Sequence, residues 1–134
     1  MKKMAGVTLI ELMVVMVIIA ILAALAVPAY QSHVTKTNRS AAKSCLSEYA
    51  QYMERFYTTK LTYVGADANP GCKSDSNLKQ RYTFGTSNLT QKTYNLTATP
   101  IGVQAQRDTQ CAVLSLNQDG TPGATGSGGN AFCW

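Results

Sequence analysis

The segment that decides the fold is GVTLIELMVVMVIIAILAALAVPAY, residues 6–30 of a chain of 134 residues. From Val7 to Val27 the chain has 21 residues, of which only Thr8 and Glu11 are polar. A helix of that length is roughly 31 Å long, which matches the thickness of the hydrocarbon core of a bilayer. The sequence therefore predicts one membrane-spanning helix near its start.

The residues before this apolar segment are typical of a short leader peptide. MKKMAG, residues 1–6, has the positive charge of a secretory signal, but the small residue Gly6 precedes the apolar run instead of following it. Cleavage after Gly6 keeps the helix and gives Val7 a free α-amino group. The two lysines are expected to hold the leader in the cytoplasm. We therefore divide the chain into a leader, residues 1–6, an apolar arm, residues 7–28, and a globular domain, residues 29–134.

Two residues of the arm predict how it is used. A lone carboxylate such as Glu11 costs about 2.5 to 3.5 kcal/mol at the centre of a membrane helix, so it needs a partner. In a bundle of staggered copies, that partner is the Val7 amine of a neighbouring subunit, and we expect Glu11 to act in assembly. Pro28 removes a backbone donor and predicts a bend or a weak point in the helix.

The domain has the pattern of a helix followed by a small sheet. Apolar residues recur at spacings of three and four in SAAKSCLSEYAQYMERFYTT, residues 40–59, so the helix is expected to continue from the arm to about Thr58. Apolar and polar residues alternate in RYTFGT, TYNLTATPI and CAVLSLNQDG, which is typical of strands. The short connections favour an antiparallel meander. The predicted fold class is α+β: a long N-terminal helix, transmembrane in its first half, packed on this meander.

The chain has four cysteines, Cys45, Cys72, Cys111 and Cys133. An even number of cysteines beyond a membrane signal indicates an oxidising compartment and two disulfides, and the lack of a CxxC pair argues against zinc. Three pairings are open, and sequence neighbourhood favours Cys45 with Cys72 and Cys111 with Cys133. The second bond would close a stretch, residues 119–130, that has five glycines in twelve residues and little apolar surface to anchor it.

At its N-terminus the chain resembles type IV pilins and the pseudopilins of type II secretion. The residues that carry the resemblance are G-VTLIEL, the apolar run ending at Pro28, and PAYQSHV after it. The resemblance implies that a prepilin peptidase cleaves between Gly6 and Val7 and N-methylates Val7, and that Glu11 guides assembly. Val7 departs from the phenylalanine that is usual at this position.

The C-terminal half carries a second, more specific resemblance. The stretch from YNLTATP to the final CW is similar to PilE-type minor pilins and to the related DNA-receptor minor pilin of competence systems, and its cysteines match the disulfide-closed C-terminal loop of type IV pilins. The family implies a single-pass subunit of the inner membrane that later joins other pilin subunits in an extracellular pilus. Such a pilus serves adhesion, twitching motility or DNA uptake.

Two other functions are weighed beside this structural one. The first is a pilus-borne receptor that binds DNA, for which the candidate contacts are Lys73, Lys79, Arg81, Lys92 and Arg107. After Pro28 the chain has ten basic residues against six acidic ones, a modest excess. The second alternative is a pseudopilin of a secretion machine, against which the four cysteines and the CW ending argue. No catalytic motif is present in the sequence, so we expect neither enzymatic activity nor a cofactor or metal.

Overall fold

The computed structural model describes residues 6–66 and 70–134. The predicted leader therefore lies outside the described residues, apart from Gly6. Helix α1 runs from Leu9 to Lys60 and continues through Pro28 without a break. By length and composition it is able to cross a membrane. The prediction of one helix from the arm to about Thr58 is confirmed.

The start of α1 is fixed by a side-chain cap. The hydroxyl oxygen of Thr8 accepts a hydrogen bond from the backbone N–H of Glu11 at 3.3 Å. Thr8 and Glu11 have the spacing of a capping box, in which a threonine binds an otherwise unpaired N–H of the first turn. A carboxylate in the first turn also interacts favourably with the helix dipole.

The chain divides into two compact units, residues 1–34 and residues 35–134. After α1, the second unit contains a short 3₁₀ helix, three short α-helices and four strands. In chain order these are the 3₁₀ helix Gly71–Ser74, α2 Ser76–Lys79, β1 Tyr82–Ser87, β2 Asn95–Pro100, α3 Gly102–Arg107, β3 Leu114–Asn117, β4 Pro122–Ala124 and α4 Gly129–Cys133.

The strands form one antiparallel sheet in the order β1-β2-β3-β4. In β2, Leu96 pairs with Leu116 of β3, and Ala98 pairs with Phe84 of β1. The predicted meander is therefore confirmed. The fourth strand was not predicted, and the connections expected to be loops contain the helices α2 and α3.

The core of the second unit joins one face of α1 to one face of the sheet. From α1 it contains Ala42, Cys45, Leu46, Tyr49 and Met53, which are buried at the spacings of three and four seen in the sequence. The strands contribute alternate residues: Tyr82, Tyr94, Leu96, Ala98, Leu114 and Leu116. Two disulfides complete the unit, Cys45–Cys72 and Cys111–Cys133, in the pairing that sequence neighbourhood favoured.

The glycine-rich C-terminal stretch is held by backbone contacts. The N–H groups of Thr125, Gly126 and Gly128 donate to the carbonyls of Val113, Cys111 and Gln110 at 3.0, 3.1 and 2.7 Å. A Cβ on Gly126 would collide with the carbonyl oxygen of Gln110. The glycines thus let two backbones approach closely, which offsets the small apolar surface of the stretch.

We expect Gly126→Ala to lower the free energy of unfolding by about 1–3 kcal/mol, because the added methyl group forces the two backbones apart. Chemical denaturation of the full-length chain in detergent measures this effect. Gly71→Ala is the matched control, because its Cβ would meet nothing closer than 4.0 Å. That variant should stay within about 0.5 kcal/mol of the parent chain. Equal stability of the two variants would contradict the close approach at Gly126.

Candidate functional site

A buried polar network lies at the end of the sheet where Tyr82 pairs with Pro100. The guanidinium of Arg39 donates two hydrogen bonds to the Asp108 carboxylate, at 3.0 and 2.6 Å. The Tyr82 hydroxyl donates to the same carboxylate at 3.1 Å. Burial, followed by the negative charge of Asp108, raises the pKa of Tyr82 above its usual value. The network therefore keeps a neutral phenol and one ion pair inside the domain.

Gln104 extends this network to helix α3. Its amide nitrogen donates to the carbonyl of Thr35 at 3.1 Å, and its amide oxygen accepts from Asn38 at 3.1 Å. Every polar atom of the buried side chains in residues 6–66 and 70–134 has a hydrogen-bond partner. The network fastens α3 to α1, and the sequence pattern showed no sign of it because the residues that link the two helices are 66 or 69 positions apart in the chain.

We expect Asp108→Ala to destabilise the domain by about 3–5 kcal/mol, because it leaves the Arg39 charge buried without a partner. The double variant Arg39→Met with Asp108→Leu should recover most of that loss, since it removes both charges. Thermal unfolding followed by circular dichroism compares the three chains. A double variant as unstable as Asp108→Ala would show that the ion pair itself, rather than the unpaired charge, decides the stability.

The structure separates the five predicted DNA contacts into different places. Lys79 ends α2, Arg81 precedes β1 and Arg107 ends α3, so these three lie toward the Tyr82–Pro100 end of the sheet. Lys92 lies in the turn between β1 and β2, at the opposite end, roughly 17 Å away along the strands. The ammonium of Lys73 lies 5.0 Å from the centre of the Tyr49 ring.

A second concave region surrounds the turn that carries Lys92. Two cavities, of about 480 and 560 Å³, share the lining residues Tyr94, Asn117 and Gln118. Their other lining residues are mostly amides and hydroxyls, with Glu54 and Arg55 at the α1 side. We call the joined cavities the amide groove; it is lined by Ala50, Gln51, Glu54, Arg55, Asn88, Thr90, Thr93, Tyr94, Asn95, Asn117, Gln118 and Gly120.

Side-chain bonds to the backbone shape both turns of the amide groove. Asn117 accepts from the N–H groups of Asp119 and Thr121 at 3.1 and 2.8 Å, which fixes the turn between β3 and β4. The Thr90 hydroxyl accepts from the N–H groups of Lys92 and Thr93 at 3.3 and 3.0 Å. The groove is therefore built from two preorganised turns next to α1.

Several groups of the amide groove remain available to a ligand. The side chains of Asn88 and Asn95 make no hydrogen bond within the described part of the chain, and Asn95 pairs across the sheet with Asn117. Arg55 and Lys92 are exposed. Neither Arg55 nor Lys92 forms an ion pair among the described residues, so both cations keep their charge unpaired. Sequence reasoning found Lys92 but missed Arg55 and the amides.

The wall of the groove contains a carboxylate with two phenol donors. The hydroxyls of Tyr63 and Tyr94 donate to the same oxygen of Glu54 at 3.0 and 3.2 Å. Burial and then this hydrogen bond raise the pKa of Tyr63 to about 12. Burial and the charge of Glu54 likewise raise the pKa of Tyr94. In residues 6–66 and 70–134 no group of three His, Cys, Asp or Glu side chains is placed to bind a metal.

These pKa values predict a loss of stability in alkali. In the unfolded chain tyrosine ionises near pH 10, whereas folded Tyr63 ionises near pH 12. The folded state therefore binds more protons above pH 10, and the free energy of unfolding should fall as the pH rises from 10 to 12. Denaturation at several pH values measures this slope, and Tyr63→Phe should reduce it. A slope unchanged in Tyr63→Phe would contradict the raised pKa.

Comparisons with known proteins support the same family at both ends of the chain. Residues 28–115 match the family described as type IV minor pilin ComP, DNA uptake sequence receptor. Residues 1–27 match the prokaryotic N-terminal methylation motif. No curated protein sequence matches the chain significantly.

Two solved structures are similar in fold. The non-core minor pilin PilV of Neisseria meningitidis aligns with a TM-score of 0.54 and 29% identity, over 71% of this chain and 90% of PilV. A type IV pilin from Shewanella oneidensis aligns with a TM-score of 0.52 and 22% identity, over 66% of this chain and 89% of that pilin. Because it is only 22% identical in sequence, the Shewanella pilin shows a similarity of fold alone.

Proposed function

The chain belongs to the type IV minor pilin family of ComP, the DNA uptake sequence receptor, and we propose that it is a DNA-binding subunit of its pilus. As a pilin it is anchored in the membrane by its long apolar helix and is then assembled with other pilin subunits into the extracellular pilus.

The observation that carries the proposal is the composition of the amide groove. Its free amides, Asn88 and Asn95, are of the type that pairs with the edge of adenine through two hydrogen bonds. Arg55 lines the same groove, and Lys92 lies in the turn that carries its Thr90 and Thr93, so both place positive charge beside the groove, which suits phosphate groups. A groove that presents amides and has cations beside it suits a nucleic acid.

The Glu54 carboxylate limits which DNA bases the amide groove can bind. Glu54 already accepts two phenol hydrogen bonds on one oxygen, and its other oxygen remains an acceptor. A carboxylate oxygen accepts from the amino group of cytosine and repels phosphate. We therefore assign base contacts to the interior of the groove and phosphate contacts to Arg55 and Lys92.

The cations at the Tyr82–Pro100 end of the sheet have a different role in this proposal. Lys79, Arg81 and Arg107 have no carboxylate within ion-pair distance among the described residues. They are not accompanied by the free amides that line the groove. Phosphate contacts add affinity without sequence information, whereas base contacts specify sequence. These three residues are proposed to attract DNA without selecting its sequence.

We predict that Arg55→Ala with Lys92→Ala weakens binding to every duplex and lowers the slope of log K against log salt by up to about 1.8. Asn95→Ala should leave that slope unchanged and should reduce discrimination between a duplex with a DNA uptake sequence and a scrambled duplex by about 1–3 kcal/mol. Fluorescence anisotropy with the full-length chain in detergent measures both quantities.

The matched control for charge is Lys36→Ala with Lys60→Ala, which removes two exposed lysines of α1 that lie outside the groove and its two turns. A loss equal to that of the groove variant would mean that net charge alone drives binding. If Lys79→Ala with Arg107→Ala loses more DNA affinity than the groove variant, the DNA interface lies at the other end of the sheet. Absence of DNA binding by the parent chain would overturn the proposed role, while its place in the pilin family would stand.

For assembly, we propose that the chain is cleaved between Gly6 and Val7, that Val7 is N-methylated, and that Glu11 pairs with the Val7 amine of a neighbouring subunit. The match of residues 1–27 to the methylation motif supports the first two steps. Glu11 lies in the first turn of α1 and is exposed in the single chain, which supports the third. Pro28 is proposed to provide the weak point of the helix during assembly, because it interrupts one backbone hydrogen bond.

We predict that Glu11→Val is cleaved normally but fails to enter filaments. The backbone N–H of residue 11 still binds Thr8, so the helix start is kept while the charge is removed. Intact mass of the membrane-extracted chain reports cleavage, and the amount in sheared filaments reports assembly. Thr8→Ala is the matched control, because it removes the cap and keeps the carboxylate. Normal incorporation of Glu11→Val at equal membrane level would exclude an assembly role for this charge.

A further inference from the structure

The two disulfides differ in their exposure. Cys111 and Cys133 are 0% and 1% exposed. Cys45 is equally buried, at 1%, but Cys72 is partly exposed, and both line an open cavity of about 440 Å³. A thiol in solution therefore reaches the Cys45–Cys72 bond from the side of Cys72, whereas the other bond is closed to it.

The two disulfides also differ in what else holds their segments. The backbone hydrogen bonds around Cys72 are local: the N–H of Lys73 donates to Pro70, that of Asp75 to Cys72 and that of Lys79 to Asp75. Among the described residues, no backbone hydrogen bond joins residues 70–79 to α1 or to the sheet. The anchors of this segment besides the disulfide include the buried Pro70 and Leu78 and the contact of Lys73 with the Tyr49 ring.

The segment that ends at Cys133 has many more attachments. Strand β4 pairs with β3, and three further N–H groups donate to residues 110–113. The indole N–H of Trp134 donates to the carbonyl of Gly123 at 2.9 Å. Loss of the Cys111–Cys133 bond would leave this segment hydrogen-bonded, whereas loss of the Cys45–Cys72 bond removes the covalent cross-link between residues 70–79 and α1, where no backbone hydrogen bond replaces it.

We propose that Cys45–Cys72 is a redox site of the domain, and that its partner is a dithiol reductant, either a small molecule or a thiol–disulfide exchange protein. The thiolate of the reductant attacks Sγ of Cys72, the Sγ–Sγ bond breaks, and Cys45 leaves as a thiolate that takes a proton from water. The second thiol of the reductant then attacks the mixed disulfide and releases Cys72. Two electrons pass to the protein, and the reductant becomes a disulfide.

Reduction releases residues 70–79 while the rest of the domain stays folded. The backbone hydrogen bonds of this segment are local, which favours local unfolding below the global transition. The strand pairing of the sheet, the Arg39–Asp108 pair and the second disulfide involve none of residues 70–79. The site thus acts as a redox-sensitive switch on the surface segment that carries Lys73 and Lys79.

The cavity also selects the charge of the reductant. Glu48 and Asp75 line it together with the disulfide, and both are exposed. Lys73 is the nearby cation, and its ammonium lies over the Tyr49 ring. Two carboxylates against one ammonium disfavour an anionic thiol, so a thiol with a positive amine should react faster than one with a carboxylate.

The test is graded reduction of the full-length chain in detergent with dithiothreitol, followed by alkylation and peptide mapping by mass spectrometry. Cys45 and Cys72 should be alkylated about tenfold faster than Cys111 and Cys133, because access limits thiol exchange. Trypsin should then cut after Lys73 and Lys79 in the reduced chain and not in the oxidised chain. Cysteamine, which carries a positive amine, should reduce the Cys45–Cys72 bond faster than mercaptoacetate, which carries a carboxylate. Glu48→Gln should narrow this difference in rate.

Two paired variants complete the test. Cys45→Ser with Cys72→Ser should reproduce the tryptic cuts without any reductant, and should leave the circular dichroism of the domain in place. Cys111→Ser with Cys133→Ser serves as the matched control and should keep Lys73 and Lys79 protected. Simultaneous reduction of both disulfides, earlier reduction of Cys111–Cys133, or a segment that resists trypsin after reduction would each overturn the proposal.

Discussion

The face of α1 between Thr35 and Met53 is the surface on which the whole domain depends. Its first part is polar and buried, with Thr35 and Arg39 in a hydrogen-bonded network. Its second part is apolar and meets the strands in one core cluster. A unit of 100 residues buries a limited apolar area, so one helix face must serve several elements at once. Helix α3 binds this face at Thr35, and the strands pack against its apolar part. Residues 70–79 are attached to it at Cys45.

The parts of the fold that follow from local periodicity were predictable. The spacing of Ala42, Cys45, Leu46 and Tyr49 predicted the buried helix face, and alternation predicted three of the four strands. Strand β4 was missed because Pro122, Gly123 and Ala124 carry no alternating apolar pattern. Its pairing depends on close backbone approach, which glycine permits and which no side-chain period reveals.

The candidate site was less predictable, because its members meet only through the topology. Arg55 lies on α1, Asn88 and Lys92 lie in one turn, and Gln118 lies in another. Each is an ordinary surface residue in its own segment. On charge alone, Lys92 was no better a candidate for DNA contact than Lys73, Lys79, Arg81 or Arg107. Only the register of the sheet shows that Lys92 lies at the opposite end from Lys79, Arg81 and Arg107. Amides carry no charge pattern, so the sequence offered no signal for the amide groove.

The buried ion pair shows why a basic domain need not be basic everywhere. Arg39 and Asp108 neutralise each other inside the structure, so neither contributes to the potential that DNA would meet. A buried pair is weak evidence for added stability, since desolvation offsets most of the attraction. The pair does fix the position of α3, since Asp108 directly follows α3 and binds Arg39 of α1. The surface excess of positive charge therefore comes from side chains that have no carboxylate beside them.

Within one subunit, the helix dipole offsets only part of the cost of the Glu11 carboxylate in a membrane. The capping bond at Thr8 uses the backbone N–H of residue 11, so a neutral residue there would cap the helix equally well. The helix dipole stabilises a first-turn carboxylate by about 0.3–1 kcal/mol. Even half of the mid-membrane cost of about 2.5–3.5 kcal/mol exceeds that benefit. The carboxylate therefore costs the isolated chain more than the helix dipole returns, which supports the proposed pairing of Glu11 with the Val7 amine of a neighbouring subunit.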